Sequence, residues 1–403
     1  MKVAVVGAGI AGLGAARALL GGGHEVVVYE AAAKPGGHVH TVDVDGISVD
    51  MGFIVCNRAR YPLFFRMLGE LGIATRPTTM SFSIALPARD LEWSSGSLSA
   101  LFAQRRRLLD PGHWRFLAGV MRFLGRARED LALGRIAGSL DDYVPRELRD
   151  AFAIPLAAAL WSLSPDRCGE FPAETFVRFL DQHGMLRAIR PLAWHTVEGG
   201  SRRYVDALVT ELRRGRFTLH LDTPVDRVTR TSAITVLAGG RADGYDRVIL
   251  ATHADTALSL LDDPTADERR VLGAFGYSTN RTVLHTDRSF LPRSPAAHAS
   301  WNYVADPETS KVSVTYSMTR LQGLPDVPYL VTLNPRSEPR GILHETTFTH
   351  PQFDATALAA QAELPRLANT RRTYYAGAHF GFGFHEDGLR AGLAAAARAM
   401  ADA

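Results

Sequence analysis

The chain opens on a strand–turn–helix–strand unit that leaves little freedom in what it can become. Val3-Ala4-Val5-Val6 has the pattern of a buried strand, and Gly7-Ala8-Gly9-Ile10-Ala11-Gly12 follows as a turn. Leu13 to Leu20 reads as a small-residue helix closed by Gly21-Gly22-Gly23, and Val26-Val27-Val28-Tyr29 as a second strand ending at Glu30. Together they make a βαβ unit of about thirty residues. Gly7 permits the tight turn, Gly9 lets a pyrophosphate approach the backbone, and Gly12 lets the helix pack on the sheet. The backbone of Gly7, Gly9, Ala11 and Gly12 is therefore the candidate phosphate cradle, backed by the unpaired N–H groups and positive dipole end of the helix. Glu30 can accept hydrogen bonds from both hydroxyls of an adenosine ribose and would repel a 2′-phosphate. The unit predicts dinucleotide binding.

Composition narrows the class. At roughly 100–200 residues per domain, 403 residues suggest two or three domains. With 46% hydrophobic and 22% charged residues, a mostly disordered chain is excluded. A formal charge of +3 gives no support to a nucleic-acid or membrane-surface protein. The basic run Gln104-Arg105-Arg106-Arg107 lacks interleaved aromatics and reads as a solvated helix face. Cys56 and Cys168 are far apart and form no CxxC, against a disulfide framework or a zinc site. The first apolar run is too short for a signal-peptide core or a membrane helix. Later ones are interrupted, as at Arg122, Gly125 and Arg126, so a cytoplasmic protein with no transmembrane segment is expected.

Further along, a helix is predicted over Tyr61–Gly72, strands over Ser81–Leu86 and Leu91–Trp93, and mainly helix over 100–190. A helix over Arg203–Arg213 precedes strands at Phe217–Leu221, Val225–Arg230, Ile234–Leu237 and Val248–Ala251. Residues 280–350 alternate apolar and polar, as in Val312-Ser313-Val314-Thr315-Tyr316, which predicts an antiparallel sheet. Thr373–Ala376 is a last strand, followed by a glycine-rich turn and an Ala-rich helix over Leu389–Met400. Nucleotide-binding strands thus stand at both ends and in the middle. The expected domains are a discontinuous one of about 1–80, 196–260 and 365–403, and a second of 81–195 and 261–364.

The stretch from Glu30 through Lys34-Pro35-Gly36-Gly37-His38-Val39-His40-Thr41 resembles the acid…GG[R]xxT segment of the flavin-containing amine oxidase superfamily, which includes phytoene desaturases. Gly377-Ala378-His379 resembles that superfamily's turn after the last strand, with His379 in place of the usual acid. The resemblance implies an α/β protein: a Rossmann-like FAD-binding domain of the amine-oxidase type with an inserted α+β substrate domain. It implies non-covalent FAD, since no cysteine lies at the C-terminal turn. Gly36 and Gly37 would pass beside the pyrophosphate, and His38 stands where an arginine usually supports the cofactor. The main chain of Val225 would contact adenine, and Gly377, Ala378, Glu386 and Asp387 would lie along the flavin, with backbone amides at its pyrimidine edge. Phrases such as Val49-Asp50-Met51-Gly52-Phe53-Ile54, Gly199-Gly200-Ser201-Arg202-Arg203-Tyr204-Val205 and Ser300-Trp301-Asn302-Tyr303 resemble a bacterial group of predicted NAD/FAD-binding proteins. Similar flavin domains occur in plant cyclopropane fatty acid synthases, which implies a lipid methyltransferase as a partner.

The chemistry expected is that of an FAD-dependent oxidoreductase of the oxidase or desaturase type acting on a lipid-like or other hydrophobic small molecule. A double-bond isomerase, an amine oxidase and a non-catalytic flavoprotein partner are the alternatives. Amine oxidases of the superfamily often carry a lysine linked through water to flavin N5. This chain has only Lys2, Lys34 and Lys311, and Lys311 reads as a surface residue. Trp161, Trp194, His195, Trp301, Asn302 and Tyr303 are expected to cover the flavin. His385 and His379, in the flavin-facing turn, are the candidate catalytic residues for moving a proton.

Overall fold

The computed structural model describes residues 1–161, 165–182, 184–186, 192–306, 312–325 and 327–402. A five-stranded parallel sheet forms the base, in the spatial order Phe217–His220, Glu25–Tyr29, Lys2–Val6, Arg247–Leu250, Thr373–Tyr375. Its central strands are buried throughout, which is why they read as continuous apolar runs. The strand order reverses direction between Lys2–Val6 and Arg247–Leu250, and the crevice at the carboxyl ends there is where such sheets bind ligands.

Two helices cover one face of this sheet at unusually short range. The opening helix, Ile10–Gly21, and the final helix, His385–Ala401, meet through Gly14, Gly388 and Gly392. A methyl group on Gly392 would overlap the Ala11 carbonyl, and one on Gly14 would lie 2.6 Å from Leu389 Cδ1. The final helix begins one turn earlier than its alanine content suggests, because Asp387 bonds back to the Phe382 and Phe384 amides and so caps it.

A seven-stranded mixed sheet forms the second layer, drawn from residues 82–94 and 276–352. Its long hairpin pairs Gly276–His285 with Ile342–Gln352 in antiparallel register. One face carries a fully buried polar ladder: Ser83 donates to Asn302, Thr315 and Thr332 share a 2.8 Å bond, and His285 Nε2 meets Thr332 at 2.7 Å. Helices over 111–182 cover the outer strands through Phe123, Phe152, Trp161, Phe176 and Phe179. Asn302, expected over the flavin, belongs to the ladder, and Tyr303 and Trp161 belong to the helical core. The run Arg105–Leu109 forms a 3₁₀ turn rather than a helix face. Lys311 lies outside the described residues.

The two layers are joined at Asp50. Its side chain, fully buried, accepts bonds from Thr41 Oγ1 at 2.5 Å, Ser201 N and Oγ at 3.0 Å, and Gln322 Nε2 at 3.1 Å. Gln322 also accepts from the Asp50 amide at 2.8 Å. Ser201 heads the Arg202–Leu212 helix, so the carboxylate sits at a positive dipole end. Gly200 precedes it at φ +95°, and a Cβ there would lie 2.8 Å from Thr41 Cγ2. That close approach accounts for the Gly199-Gly200-Ser201 phrase.

Burial pushes the Asp50 carboxyl up to about 6, against the donors that favour its ionised form. A folded-state value above the unfolded one favours folding at low pH, and that contribution is lost as pH rises from about 4 through 6. Asp50→Ala is expected to cost about 3–5 kcal/mol by stranding buried donors. Asp50→Asn cannot ionise, so the stability gap between it and the wild type should narrow as pH rises from 4 to 7. Urea midpoints of both proteins across that range measure the gap.

Candidate flavin site

The glycine turn is built on backbone contacts that admit no side chain. Gly7 takes φ +103° and a Cβ there would lie 2.7 Å from the Ala251 carbonyl oxygen; one on Gly12 would overlap the Gly7 carbonyl. The turn therefore lies against the end of the Arg247–Leu250 strand, at the switch point of the sheet. No side chain caps the opening helix, and its first turn carries no acid, so its amide end is open to an anion.

The second glycine loop lies directly on the first. Gly36 N donates to Ala8 O at 2.8 Å, Gly9 and Gly36 form a parallel bridge, and Gly37 takes φ +58° beside Gly9. Glu30 closes this corner: its carboxylate accepts from Ala8 N at 2.8 Å and Ala32 N at 2.9 Å. Val225 starts its strand just beyond Thr223, whose amide donates to the Glu30 carbonyl at 2.9 Å.

From the diglycine the chain runs through His38, whose Nε2 lies 3.0 Å from the Thr349 carbonyl and so carries the proton. His38 stacks on Phe348 at 5.3 Å and lies 5.4 Å from His350 and 6.1 Å from His253. His253 Nδ1 meets Thr349 Oγ1 at 3.3 Å and its ring stacks on Tyr277 at 4.2 Å. Burial holds His38 down to about 4 and His350 to about 3, so the array is uncharged at neutral pH. Sequence reasoning named only His38 of this group. The alternation His344, Thr346, Phe348, His350 along one strand face was the available signal.

The C-terminal turn follows the Thr373–Tyr375 strand. Gln361 Nε2 holds it by donating to the His379 and Gly381 carbonyls at 2.9 and 2.6 Å, and Ala378 O accepts from Gly381 and Gly383 at 3.1 Å. The His379 ring folds over Gly377 and against Phe275. It is buried, and among the described residues its Nε2 has no hydrogen-bond partner. His385 is also buried, stacked 3.8 Å from Phe53 and edge-on to Phe64, with Nε2 2.5 Å from the Tyr204 hydroxyl. Burial lowers both imidazoles to about 3. The Glu386 carboxylate caps another helix through Leu63 N and Phe64 N, both at 3.0 Å, while Asp387 caps its own. What these two leave toward the turn is backbone.

A profile described as flavin containing amine oxidoreductase matches residues 10–332. The chain belongs to this family. A zeta-carotene-forming phytoene desaturase of Myxococcus xanthus is 25% identical over 311 residues, 70% of this chain and 59% of that protein. The chain thus spans under two thirds of that relative's length. In fold it is similar to cyclohexylamine oxidase from Brevibacterium oxydans, with TM-score 0.70 and 16% identity over 100% of this chain and 99% of that one. It is also similar to a CLA-producing fatty acid isomerase from P. acnes, with TM-score 0.68 and 16% identity over 98% of each chain. None of these three is a cyclopropane synthase.

The residues present fit a flavin dinucleotide. Two glycine loops meet backbone to backbone at an uncapped helix, an acid stands at the end of the second strand, and a buried imidazole nitrogen lacks a partner beside the last strand. Cys56 and Cys168 are buried and neither stands on the C-terminal turn, in keeping with a non-covalent cofactor.

Two outcomes follow from this geometry. A methyl group on Gly9 would meet only Gly37 Cα, at 3.8 Å, so Gly9→Ala should fold normally yet lose flavin. The flavin-to-protein ratio of the purified variant is expected to fall about tenfold, with unchanged circular dichroism. The depressed histidines act oppositely to Asp50: their contribution is present above their unfolded value near 6.5 and is lost as pH falls toward 4. Acid titration followed by flavin fluorescence should show release and unfolding between about pH 6 and 4.

Proposed function

We propose that the chain is an FAD-dependent oxidoreductase of the oxidase or desaturase type, with a hydrophobic, lipid-like small molecule as hydride donor. The observation that carries this reading is the apolar wall behind the C-terminal turn. Phe384 packs 5.0 Å from Phe179, which lies 5.0 Å from Trp161 in a cluster with Phe171 and Phe176. Phe384 is half-buried and the four rings behind it are buried core, so a ligand would meet this wall through Phe384, a surface that suits an apolar substrate. It also suits the phytoene desaturase among the relatives, which acts on a hydrocarbon.

Family membership and the two glycine loops support binding of FAD at Gly7, Gly9, Ala11 and Gly12, Gly36 and Gly37. Glu30 would hold the ribose, the main chain of Val225 would meet adenine, and His38 would stand on the pyrophosphate side. Gly377, Ala378 and the amides of Glu386 and Asp387 would hold the ring system. When bound, the flavin supplies two-electron chemistry. With this assignment we propose a discontinuous FAD-binding domain of about 1–80, 196–260 and 365–403 and a substrate domain of 81–195 and 261–364.

His385 and His379 are the groups we assign to proton handling. Both are neutral at physiological pH, as their depressed values require. Burial holds the Tyr204 hydroxyl protonated, so it serves as donor to His385 Nε2 and leaves Nδ1 to carry the ring proton. An imidazole that takes a proton at one ring nitrogen as it releases one from the other stays neutral, so it can relay a proton through an apolar site. The orphaned His379 Nε2 is the natural hydrogen-bond partner of a cofactor polar atom.

An amine oxidase reading has the family match behind it, but neither lysine among the described residues is placed to serve it. Lys2 lies over the Tyr245 ring at 4.9 Å, and Lys34 is exposed on the loop before Gly36. The likeness to a fatty acid isomerase favours one second reading, in which a double bond moves with no net oxidation. A lipid methyltransferase partner, implied by the cyclopropane-synthase likeness, belongs to a third.

Anaerobic mixing of the flavin-loaded protein with polyene and unsaturated fatty acid candidates separates them. Bleaching of the oxidised flavin band, reversed by oxygen or a quinone, is the expected result. Product formed with no lasting bleaching assigns an isomerase, and no turnover with any candidate would overturn an autonomous enzyme. His385→Ala should keep its flavin and its melting temperature within a few degrees, while flavin reduction slows roughly a hundredfold.

A further inference from the structure

Among the described residues, nine large apolar side chains are strongly exposed, and six of them lie between residues 98 and 133: Leu98, Leu108, Leu109, Trp114, Met121 and Leu133. Leu98 is 82% exposed, Leu109 89% and Trp114 52%. Such clustering is unusual for a soluble surface, where exposed apolar residues are scattered singly.

Local contacts bring the Leu98 corner, the Leu108–Leu109 turn and Trp114 together, with Met121 two turns further along the helix. Trp114 Nε1 donates to the Leu108 carbonyl at 2.9 Å and the indole packs on Phe102 at 4.6 Å, so the Arg105–Leu109 turn is pinned beside the helix Pro111–Ala132. Arg105 bonds Ser99 at 2.8 Å and brings in the Leu98 corner. Along the helix, Trp114, Ala118, Met121 and Gly125 are all exposed at helical spacing, while Val120, Phe123, Leu124 and Ala127 face the core. The helix is therefore apolar on its outer stripe as well as its inner one.

The same stretch is the most basic of the chain. Residues 98–128 hold seven arginines and one acid, Asp110. Arg106 and Arg107 are paired with Asp90 and Asp110. Among the described residues, Arg105, Arg115, Arg122 and Arg128 have no carboxylate partner. Exposed leucines and a tryptophan flanked by uncompensated arginines match the layering of an anionic bilayer surface, with acyl chains below and phosphates above.

We propose that the face formed by the Arg105–Leu109 turn and the outer stripe of the Pro111–Ala132 helix docks on anionic phospholipid membranes. Leu98, Leu109 and Trp114 enter the interface, and Arg105, Arg115 and Arg122 contact headgroup phosphates. A nucleic acid would satisfy the arginines but leave the leucines in water. A second copy set face to face would bring the arginines against one another. The proposal stands independently of the substrate assigned above, because it concerns the surface alone.

The test is sedimentation of the flavin-loaded protein with vesicles of equimolar phosphatidylglycerol and phosphatidylcholine, against phosphatidylcholine alone. Binding to the anionic vesicles, weakened by high salt and absent from the neutral ones, is expected. Leu98→Ser/Leu109→Ser and Arg115→Ser/Arg122→Ser should each lower the bound fraction about tenfold at unchanged melting temperature. Brominated phosphatidylglycerol should quench tryptophan fluorescence in the wild type, which needs no variant. Absence of anionic-vesicle binding, or equal binding by the leucine variant, would overturn the proposal. So would a concentration-dependent dimer in gel filtration that the leucine variant abolishes, since a second copy would then cover this face.

Discussion

The buried carboxylate of Asp50 is the interaction on which the arrangement of the two layers rests. It simultaneously touches Thr41 of its own hairpin, the head of the Arg202–Leu212 helix and Gln322. The hairpin carries the His38–His40 segment, because Met51 N and Phe53 N donate to the His40 and His38 carbonyls at 2.8 Å. The helix carries Tyr204, which holds His385. One acid therefore fixes the relative position of the diglycine loop, the histidine array and the C-terminal turn. Its cost is desolvation, visible in its raised ionisation range; its gain is that one acceptor gathers four donors from three separate segments.

Much of the nucleotide-binding half was legible in the sequence because it obeys local rules. Gly12 is required by a backbone contact within the same βαβ unit, where a Cβ would overlap the Gly7 carbonyl, and Glu30 follows from strand length. The final helix was equally clear in composition, although its start was misplaced by a turn because Asp387 caps it from inside. The second layer was legible only as a class. Alternation along Val312–Ser317 announces a strand, but says nothing of which face holds the polar ladder. Asn302 and Thr315 are fully buried as rungs of that ladder, and the rung that completes it at Asn302, Ser83, comes from a strand far away along the chain.

The candidate site divides along the same line. Its glycine loops are legible because glycine is an unambiguous word; His38, His379 and His385 can be named from the sequence, but a histidine carries no record of its neighbours. His253 and His350 become part of the site only when the Ile342–Gln352 strand crosses the diglycine loop. Tyr204 reads as an ordinary helix residue until His385 arrives from the other end of the chain. Glu386 and Asp387 show the reverse case: acids at a flavin-facing turn invite a chemical role, and the structure gives both carboxylates to backbone amides.

The electrostatics of the site argue for an apolar substrate by a route independent of the aromatic wall. The acids nearest the C-terminal turn are neutralised as acceptors by capping bonds, and the histidines around it are held uncharged by burial. A site that binds an ammonium or a carboxylate group needs a fixed opposite charge or a comparable set of dipoles, since desolvating an ion without one costs several kcal/mol. An uncharged chain incurs no such penalty, and burying it is favourable at about 25 cal/mol per Å² of apolar surface. A neutral site thus discriminates by what it declines to compensate. Selection would come from the shape of the aromatic cluster, and proton movement from groups that never become ions.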